Sequence, residues 1–465
     1  MQTTLMNTKD WAMVEFSDAQ LGDIRRTRRL VEVAAGLANN PSGTLPGAFP
    51  DWADLKAAYR FFSSEDVTYE QIIDPHWTHT RAACQEPGEY LLIEDTTDLD
   101  FTSLLAASDL GRIGDDGGRG LYVHTTLAFR VESWNDQDAP EGTVVGLFAQ
   151  KCWARTNSTR CSKEKKGDRL RRRRESERWA AAFEACGGPP PGVRWTYVAD
   201  RESDIYEVFG RCEDNRVDFI VRASQPRALV KEDRSLFEAI AKGPIFGRFS
   251  LDLRARAGQA ARTAELEVRA RRVTLRAPWR PGGAPEPREV MVVEAREVHA
   301  PAGIKPIRWV LLTSWPCNTF RQVMRVVKAY SRRWLIEEYH KALKTGAGIE
   351  QTQLSAADRI QALLGVLAVV AVRLLNTKLL ATTRPDEPVA AGEFGPEALA
   401  ILEAKWGKPA GGWTCSSILI AIARLGGFLA RKGDGNPGWL TIWRGWQKLM
   451  LMTHGFTIAM EEKCG

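Results

Sequence analysis

Helical spacing of apolar residues characterises the first 75 positions of the chain. After Asp23, a residue type that caps helices, apolar side chains recur at intervals of about one turn up to Leu37. A loop rich in proline and glycine follows at 41–50, and a second helix is predicted over Trp52–Phe62. Residues 1–75 are therefore predicted to form a helical N-terminal domain.

From about residue 88 the pattern changes to short apolar runs that are typical of strands. A run over 89–95 is followed by β-rich segments at 121–131 and 142–154 with a polar connection, which predicts an antiparallel meander. A helix at 175–186, strands at 193–200 and 218–222, and a helix at 203–212 are predicted next. Three antiparallel strands before an α/β alternation favour the α/β class: a ribonuclease-H-like core, with a mixed sheet flanked by helices.

Alternating polar and apolar residues return between about 228 and 308, which predicts a β-rich subdomain inserted in the core. After a further strand at 307–313, helices are predicted over 320–345 and 360–380, and the residues beyond 381 have helical spacing. The predicted domains are therefore a ribonuclease-H-like core over 76–380, which contains the insertion, and a helical C-terminal domain over 381–465.

Composition agrees with a globular protein of the cytoplasm. Of the 465 residues, 44% are hydrophobic and 26% charged. The eight cysteines form no Cys-x-x-Cys pair, which argues against a zinc site and a disulfide framework. Residues 1–10 lack an apolar signal core, and the apolar stretch 360–380 contains Arg373 and Lys378, so it is predicted to be a buried helix rather than a membrane span.

Positive charge is concentrated in local runs. The net charge of +6 is by itself a weak indication of nucleic-acid binding. Four arginines stand at the predicted start of a helix: Arg25, Arg26, Arg28 and Arg29. They could contact DNA phosphates or form a solvated charged face, and the same two interpretations apply to the basic run at 162–174.

Two aspartates are predicted to end strands of the core sheet, and they are candidates for metal ligands. Asp95 ends the first apolar run, and Asp200 ends a later one. If the strands are neighbours, the two carboxylates lie at one edge, where they could hold Mg²⁺ for phosphodiester cleavage. An aspartate in such a position can equally be a helix cap or a turn former.

The predicted helix over 320–345 contains a larger constellation. Five side chains fall within about 80° of arc on an α-helix: Tyr330, Arg333, Glu337, Lys341 and Lys344. Glu338 would point about 100° away from Glu337. The alternative is a salt-bridged solvent face, because Arg333 and Lys341 each lie four residues from Glu337.

These residues carry a resemblance to a known family. The spacing Tyr330-(2)-Arg333-(3)-Glu337-(6)-Lys344 resembles the signature of the insertion-sequence-four family of bacterial DDE transposases, and of its Tn-five branch in particular. Further blocks along the whole chain are similar to that branch: Leu21–Thr27, Ile93–Thr97, Asp200–Ile205, Trp309–Ser314, Glu337–Ala342, Lys344–Gly348 and Ala421–Phe428.

The resemblance implies a role for each matching residue. Asp95, Asp200 and Glu337 would be a catalytic triad that holds two Mg²⁺ ions per active site, with Mn²⁺ as a substitute. Phosphates beside the cleaved bond would be held by Tyr330, Arg333, Lys341 and Lys344. Arg201 and Arg222 would lie near the DNA, Trp309 would stack against a flipped base in a hairpin intermediate, and Trp334 would stack or pack beside them.

It also implies cut-and-paste transposition. The N-terminal helices would bind the terminal inverted repeats, and the C-terminal helices would form a homodimer on double-stranded DNA. The 3′ ends released when water opens the hairpin would then attack target DNA. No Gly-x-x-x-x-Gly-Lys-Ser/Thr motif is present, so no nucleotide cofactor is expected. The chain departs from its relatives in the more basic run at 162–174 and in the short tail after Gly433, which Asn436–Gly438 interrupts.

Three other functions stay open from the residues alone. A ribonuclease-H-like nuclease would cut DNA without joining it. A silent regulator derived from a transposase would bind DNA without cutting. A salt-bridged α/β protein of unrelated function would leave the several matching blocks unexplained.

Overall fold

The computed structural model describes residues 8–40, 44–114, 117–155, 180–230, 232–253, 260–279, 286–389 and 394–464. The basic run at 162–174 therefore lies outside the described residues. So does the first part of the helix predicted over 175–186, of which the structure shows α6, Ala181–Glu184.

The centre of the molecule is a mixed sheet. Its first strands are β1 (Gly88–Asp100), β2 (Gly111–Ile113), β3 (Gly118–Trp134) and β4 (Pro140–Trp153), followed by β5 (Val193–Ala199) and β6 (Asp218–Arg222). Strands β1, β3 and β4 form an antiparallel meander, and β5 and β6 run parallel to β1. The resulting order β4-β3-β1-β5-β6 confirms the predicted ribonuclease-H-like core.

Strand β1 is continuously apolar over Tyr90–Ile93 because both of its faces are covered there. Leu91 and Ile93 point into a core that the N-terminal helices share, and Tyr90 and Leu92 point into a second core on the other face. The second core receives helix α7, Tyr206–Asp214, which connects β5 to β6. A strand with two buried faces has no polar alternation, which is why Tyr90–Ile93 is a continuous apolar run.

The predicted insertion extends the same sheet. It contributes β7 (Ala228–Leu229), β8 (Glu232–Ser235), helix α8 (Leu236–Ala241), β9 (Ile245–Leu253), β10 (Arg262–Leu275) and β11 (Arg288–Val298), and it leads into β12, Arg308–Thr313. Strand β12 pairs with both β11 and β6, so the described strands form one twelve-stranded sheet. The alternation of the inserted strands correctly predicts β-structure but does not indicate this edge-to-edge continuation.

The N-terminal helices pack on one face of the sheet. They are α1 (Thr8–Phe16), α2 (Ile24–Asn39), α3 (Leu45–Ala48), α4 (Trp52–Phe62) and α5 (Tyr69–Ala83). The carboxylate of Asp23 accepts a hydrogen bond from the backbone N–H of Arg25 and so caps α2, as its residue type predicts. Helix α5 runs through residue 75, and its packing joins these helices to the core.

The helix predicted over 320–345 is wrong as a single element. The structure has α9 (Phe320–Ser331), α10 (Trp334–Lys341) and a π-helical turn over Ala342–Gly346. Between α9 and α10 the backbone N–H groups of Arg332 and Arg333 bond to carbonyls three residues back, which tightens the turn. The tight turn at Arg332–Arg333 and the wider π-helical turn both depart from 3.6 residues per turn. The five side chains predicted to share one helix face, from Tyr330 to Lys344, therefore do not form one continuous face.

The remaining helices are α11 (Ala357–Thr383), α12 (Pro396–Trp406), α13 (Cys415–Leu425) and α14 (Trp439–Cys464). Among the described residues, α11 is the one helix long and apolar enough to cross a membrane, but 72% of its apolar window is buried inside the protein. It packs against α2, α5 and α13. Helix α11 is therefore a core helix, as predicted for 360–380.

Candidate active site

Asp95 and Asp200 lie next to each other because their strands are parallel neighbours. The register pairs Glu94 with Ala199, so the two aspartates follow directly at the point where β1 and β5 separate. The prediction that Asp95 ends its strand is wrong, since β1 continues to Asp100 by pairing with β3. The pairing of β1 with β5 ends at Glu94 and Ala199, where the two strands separate. The Asp95 carboxylate therefore lies beside Asp200 at this point of separation.

The electrostatics of the aspartate pair are unfavourable without a cation. Burial raises the pKa of Asp95 to about 6, and the negative charge of Asp200 adds to the rise, against the opposing effects of Arg333 and the backbone N–H of Thr96. Asp200 also caps a short 3₁₀ turn, since its Oδ1 accepts the N–H of Glu202 at 2.9 Å. The interpretation of Asp200 as a turn former is therefore confirmed, whereas its role as a metal ligand stays a prediction.

Glu337 lies on α10 and reaches this pair through Arg333. One terminal nitrogen of the Arg333 guanidinium donates to Asp95 Oδ2 at 3.2 Å, and the other donates to Glu337 Oε1. Among the described residues no three acidic, histidine or cysteine side chains converge closely enough to hold a metal ion by themselves. Asp95 and Asp200 are therefore direct neighbours in the structure. Glu337 is connected to Asp95 only through the guanidinium of Arg333.

The donor set nevertheless fits a divalent cation. Asp95, Asp200 and Glu337 offer only carboxylate oxygens, which are the hard ligands that Mg²⁺ prefers. A cation held by these carboxylates would offset both the burial and the charge of Asp200, which together raise the pKa of Asp95. The residues present thus fit Mg²⁺ or Mn²⁺ once Arg333 no longer occupies the oxygens of Asp95 and Glu337.

Helix α10 is held over β1 by a buried network at the level of Asp95. The amide of Gln150 donates to the hydroxyls of Thr125 and Tyr339, both at 2.8 Å. Thr125 is the direct cross-strand partner of Asp95, and Tyr339 follows Glu337 by two residues on α10. Sequence reasoning missed these supporting residues, because nothing local in the chain relates β4 to α10.

Glu338 has a different environment from Glu337. Its carboxylate accepts hydrogen bonds from Lys341 at 3.2 Å, from Trp439 at 2.8 Å and from Lys378. Lys341 thus pairs with Glu338 rather than with Glu337, and its ammonium lies 4.6 Å from the centre of the half-exposed Trp334 ring. The salt-bridged face considered for this helix is therefore correct for Arg333 and wrong for Lys341, because the helix rotates Lys341 onto Glu338.

The other residues of the predicted constellation surround the carboxylates. Lys344 lies in the π-helical turn, and its ammonium is 3.3 Å from Asp98 of β1 and 3.5 Å from Glu350. The hydroxyl of Tyr330 is buried, and no group in the described part of the chain accepts a hydrogen bond from it. Burial raises the pKa of Tyr330, and the nearby cations Arg333 and Arg222 oppose the rise. The phenol thus stands between the carboxylates and the cleft that follows.

A basic cleft of about 520 Å³ opens beside Asp200. Three residues expected near DNA line it: Arg201, Arg222 and Trp309. The ring of Trp309 is half-buried, and its centre lies 6.2 Å from that of Tyr330 at an angle of 59°. Lys305, Arg308 and Phe237 complete the wall, and sequence reasoning missed them. The basic residues just before Trp309 could have indicated the first two, whereas Phe237 comes from a distant part of the insertion.

The arginines at the start of α2 differ in their surroundings. Arg26 pairs with Asp66, and Arg25 pairs with Asp23 at 3.2 Å. Arg29 lies 2.8 Å from Glu32, whereas Arg28 is exposed. Internal carboxylates therefore neutralise part of this basic run.

Three stretches of the chain match families of known proteins. Residues 8–67 match the family described as Transposase DNA-binding, 194–373 match the Transposase DDE domain, and 393–462 match the Transposase Tn5 dimerisation domain. The chain therefore belongs to the DDE transposases of the Tn5 type, which bind DNA, cut it and transfer its strands. The matched DDE stretch includes Asp200 and Glu337, and Asp95 precedes it.

One solved structure is similar over most of its length. It is described as the cryo-EM structure of the piggyBac transposase synaptic complex with hairpin DNA, with 8% sequence identity and a TM-score of 0.34. The match covers 84% of this chain and 77% of that chain. A likeness at this level supports no statement about the site.

Proposed function

We propose that the protein catalyses cut-and-paste transposition by two-metal phosphodiester hydrolysis and transesterification, with Asp95, Asp200 and Glu337 as the metal-binding triad. The main support is the juxtaposition of Asp95 and Asp200 on parallel neighbouring strands under the helix that carries Glu337. Two Mg²⁺ ions, or Mn²⁺ in their place, would polarise the scissile phosphate and stabilise the leaving oxygen. All other contributions to binding and positioning the DNA would come from side chains of the protein.

The cations around the triad would position the DNA. Arg333 offers a planar fork that suits a phosphate, and Lys341 and Lys344 offer point charges on the same side of the sheet. The buried hydroxyl of Tyr330 can donate to a phosphate oxygen that enters the site, since no described group already accepts from it. These groups hold the reacting phosphate in line and keep bulk water away from it.

The basic cleft would hold an extrahelical nucleotide of a hairpin intermediate. A hairpin bends one strand sharply and unstacks a base, and the half-exposed face of Trp309 can replace the lost stacking. Arg201 and Arg222 line the same cleft and can bind the adjacent phosphates. Trp334, exposed on α10 three residues before Glu337, would pack against DNA.

The helical ends would supply recognition and assembly. Residues 1–75 would bind the terminal inverted repeats with the arginines of α2, and residues 381–465 would join two copies into a synaptic dimer on DNA. The core over 76–380 would then act on the paired ends and on target DNA in the cytoplasm.

The test is incubation of the purified protein with DNA that carries the ends of its own element and with Mg²⁺, followed by denaturing gels. Nicks, then hairpins, then products joined to target DNA are expected in that order. Nicks without joined products would favour a nuclease, and DNA binding without nicks would favour a silent regulator. Asp200→Asn is the control, since it keeps the turn-capping oxygen and removes the charge.

A further inference from the structure

Arg333 occupies the position between two of the three candidate ligands. Its guanidinium donates to Asp95 Oδ2 at 3.2 Å and to Glu337 Oε1, and only 16% of its side chain is exposed. Asp95 and Glu337 are themselves mostly buried, at 18% and 28% exposure. The two ion pairs of the Arg333 guanidinium therefore lie inside the site and are not a surface salt bridge.

A guanidinium in this position competes with a divalent cation. It occupies a carboxylate oxygen of Asp95 and another of Glu337, which a metal ion would need as ligands. Its positive charge also repels a second cation at short range, in a site where burial weakens screening. The metal-free carboxylates are thus stabilised by a counter-ion from the same chain.

A DNA phosphate offers Arg333 an alternative partner. The guanidinium fork matches the geometry of phosphate as well as that of carboxylate. The neighbouring Tyr330 hydroxyl is buried, and no group in the described part of the chain accepts its proton, so it can donate to the same phosphate. A phosphate that draws Arg333 away frees oxygens of Asp95 and Glu337 together.

We propose that Arg333 is a built-in counter-ion that keeps divalent metal out of the DNA-free site and is drawn away by the DNA phosphate, so that DNA binding and metal binding are coupled. The proposal rests on the proposed function. It has a protective consequence, since free enzyme with an empty metal site cannot hydrolyse phosphodiesters at random. By thermodynamic reciprocity, metal ions raise the affinity for DNA by the same factor.

The test measures Mn²⁺ binding directly, by the electron paramagnetic resonance signal of the free ion. DNA-free Arg333→Gln should bind Mn²⁺ roughly tenfold more tightly than wild type, within the range usual for coupled ligands. Arg333→Lys retains the charge and should stay near wild type. Arg332→Gln removes a charge one residue away that does not bridge the carboxylates, and it should change the affinity by less than about threefold. An unchanged Arg333→Gln, or an equal gain in Arg332→Gln, would overturn the proposal.

A second measurement adds end DNA. The DNA should raise the Mn²⁺ affinity of wild type more than that of Arg333→Gln, because release of the guanidinium contributes only in wild type. Equal increases in both proteins would show that the phosphate acts as a ligand alone and would refute the coupling.

A double variant separates this proposal from the proposed function. If Arg333→Gln binds Mn²⁺ and the added change Asp95→Asn abolishes that binding, the ion occupies the proposed triad. Binding that survives Asp95→Asn would refute the metal site itself. Binding that depends on Asp95 but is no tighter in Arg333→Gln than in wild type would refute the counter-ion role alone.

Discussion

The carboxylate of Glu338 accepts a hydrogen bond from the indole Nε1 of Trp439 at 2.8 Å, so the helix that carries Glu337 is attached to the first residue of α14. Lys378 of α11 bonds to the same carboxylate oxygen, and its ammonium lies 4.4 Å from the centre of the Trp439 ring. Three helices therefore meet one residue away from the candidate ligand, which connects the C-terminal helices mechanically to the site.

Trp439→Phe should lower the free energy of unfolding by about 1–2 kcal/mol, because it removes a hydrogen bond to a charged acceptor and keeps an aromatic ring against Lys378. Urea unfolding followed by circular dichroism measures the change. Trp52→Phe is the control, since the Trp52 side chain is 71% exposed and its replacement should stay within about 0.5 kcal/mol of wild type. Equal stability of Trp439→Phe and wild type would contradict the role of this joint.

Glu337→Gln and Glu338→Gln form a matched pair of adjacent substitutions. Glu337→Gln should leave end-DNA binding near normal and reduce nicking by about a hundredfold or more, since it removes a charged carboxylate ligand of the divalent ions. Glu338→Gln should retain most of the nicking activity and lose stability, because Lys378 loses its charged partner. Gel-shift and nicking assays on both proteins give the comparison, and a reversed pattern would exchange the roles of the two glutamates.

Trp309→Ala should impair hairpin formation more than first-strand nicking, because only the hairpin needs an unstacked base to be supported. Trp309→Phe should recover part of the loss, since a smaller aromatic face remains. Single-turnover assays on intact and pre-nicked end DNA separate the two steps. If both steps fell equally in Trp309→Ala, the ring would have a structural role instead.

Helices α13 and α14 cross at two glycines that admit no side chain. A Cβ on Gly445 would stand 1.7 Å from the carbonyl oxygen of Ile422, and one on Gly426 would stand 1.8 Å from that of Thr441. Gly445→Ala should therefore separate the helices and lower the midpoint of thermal unfolding by several degrees. Gly455→Ala lies in the same helix with open space around it, and it should leave the midpoint unchanged or raise it slightly.

Arg28 and Arg29 should differ in their effect on DNA binding. Arg28 is exposed, whereas Arg29 pairs with Glu32 and approaches Asp54 at 3.9 Å. Arg28→Ala should weaken binding of end DNA and reduce the salt dependence of the affinity by about one phosphate contact. Arg29→Ala should do so less, because part of its charge is already neutralised. Titrations at several salt concentrations check both slopes, and identical slopes would show that the ion pairs open on DNA.

Local patterns predicted much of the fold. The predicted helix Trp52–Phe62 agrees with α4 at both ends, and Asp23 caps α2, because apolar spacing and capping depend on neighbouring residues. The meander of β1, β3 and β4 was also predictable from alternating runs and turn residues. The break at Arg332–Arg333 was not, since the local sequence there contains no proline or glycine to indicate it.

By itself the sequence determined the family signature, the helical ends and the two aspartates that follow apolar runs, because each is a property of residues close together in the chain. Only the tertiary structure decided which acidic groups share space. The bond between Arg333 and Asp95 joins residues 238 positions apart, and two partners of Glu338, Lys378 and Trp439, come from α11 and α14. Such contacts depend on strand order and helix rotation, which are set by the packing of the whole core and cannot be read from spacing within one element.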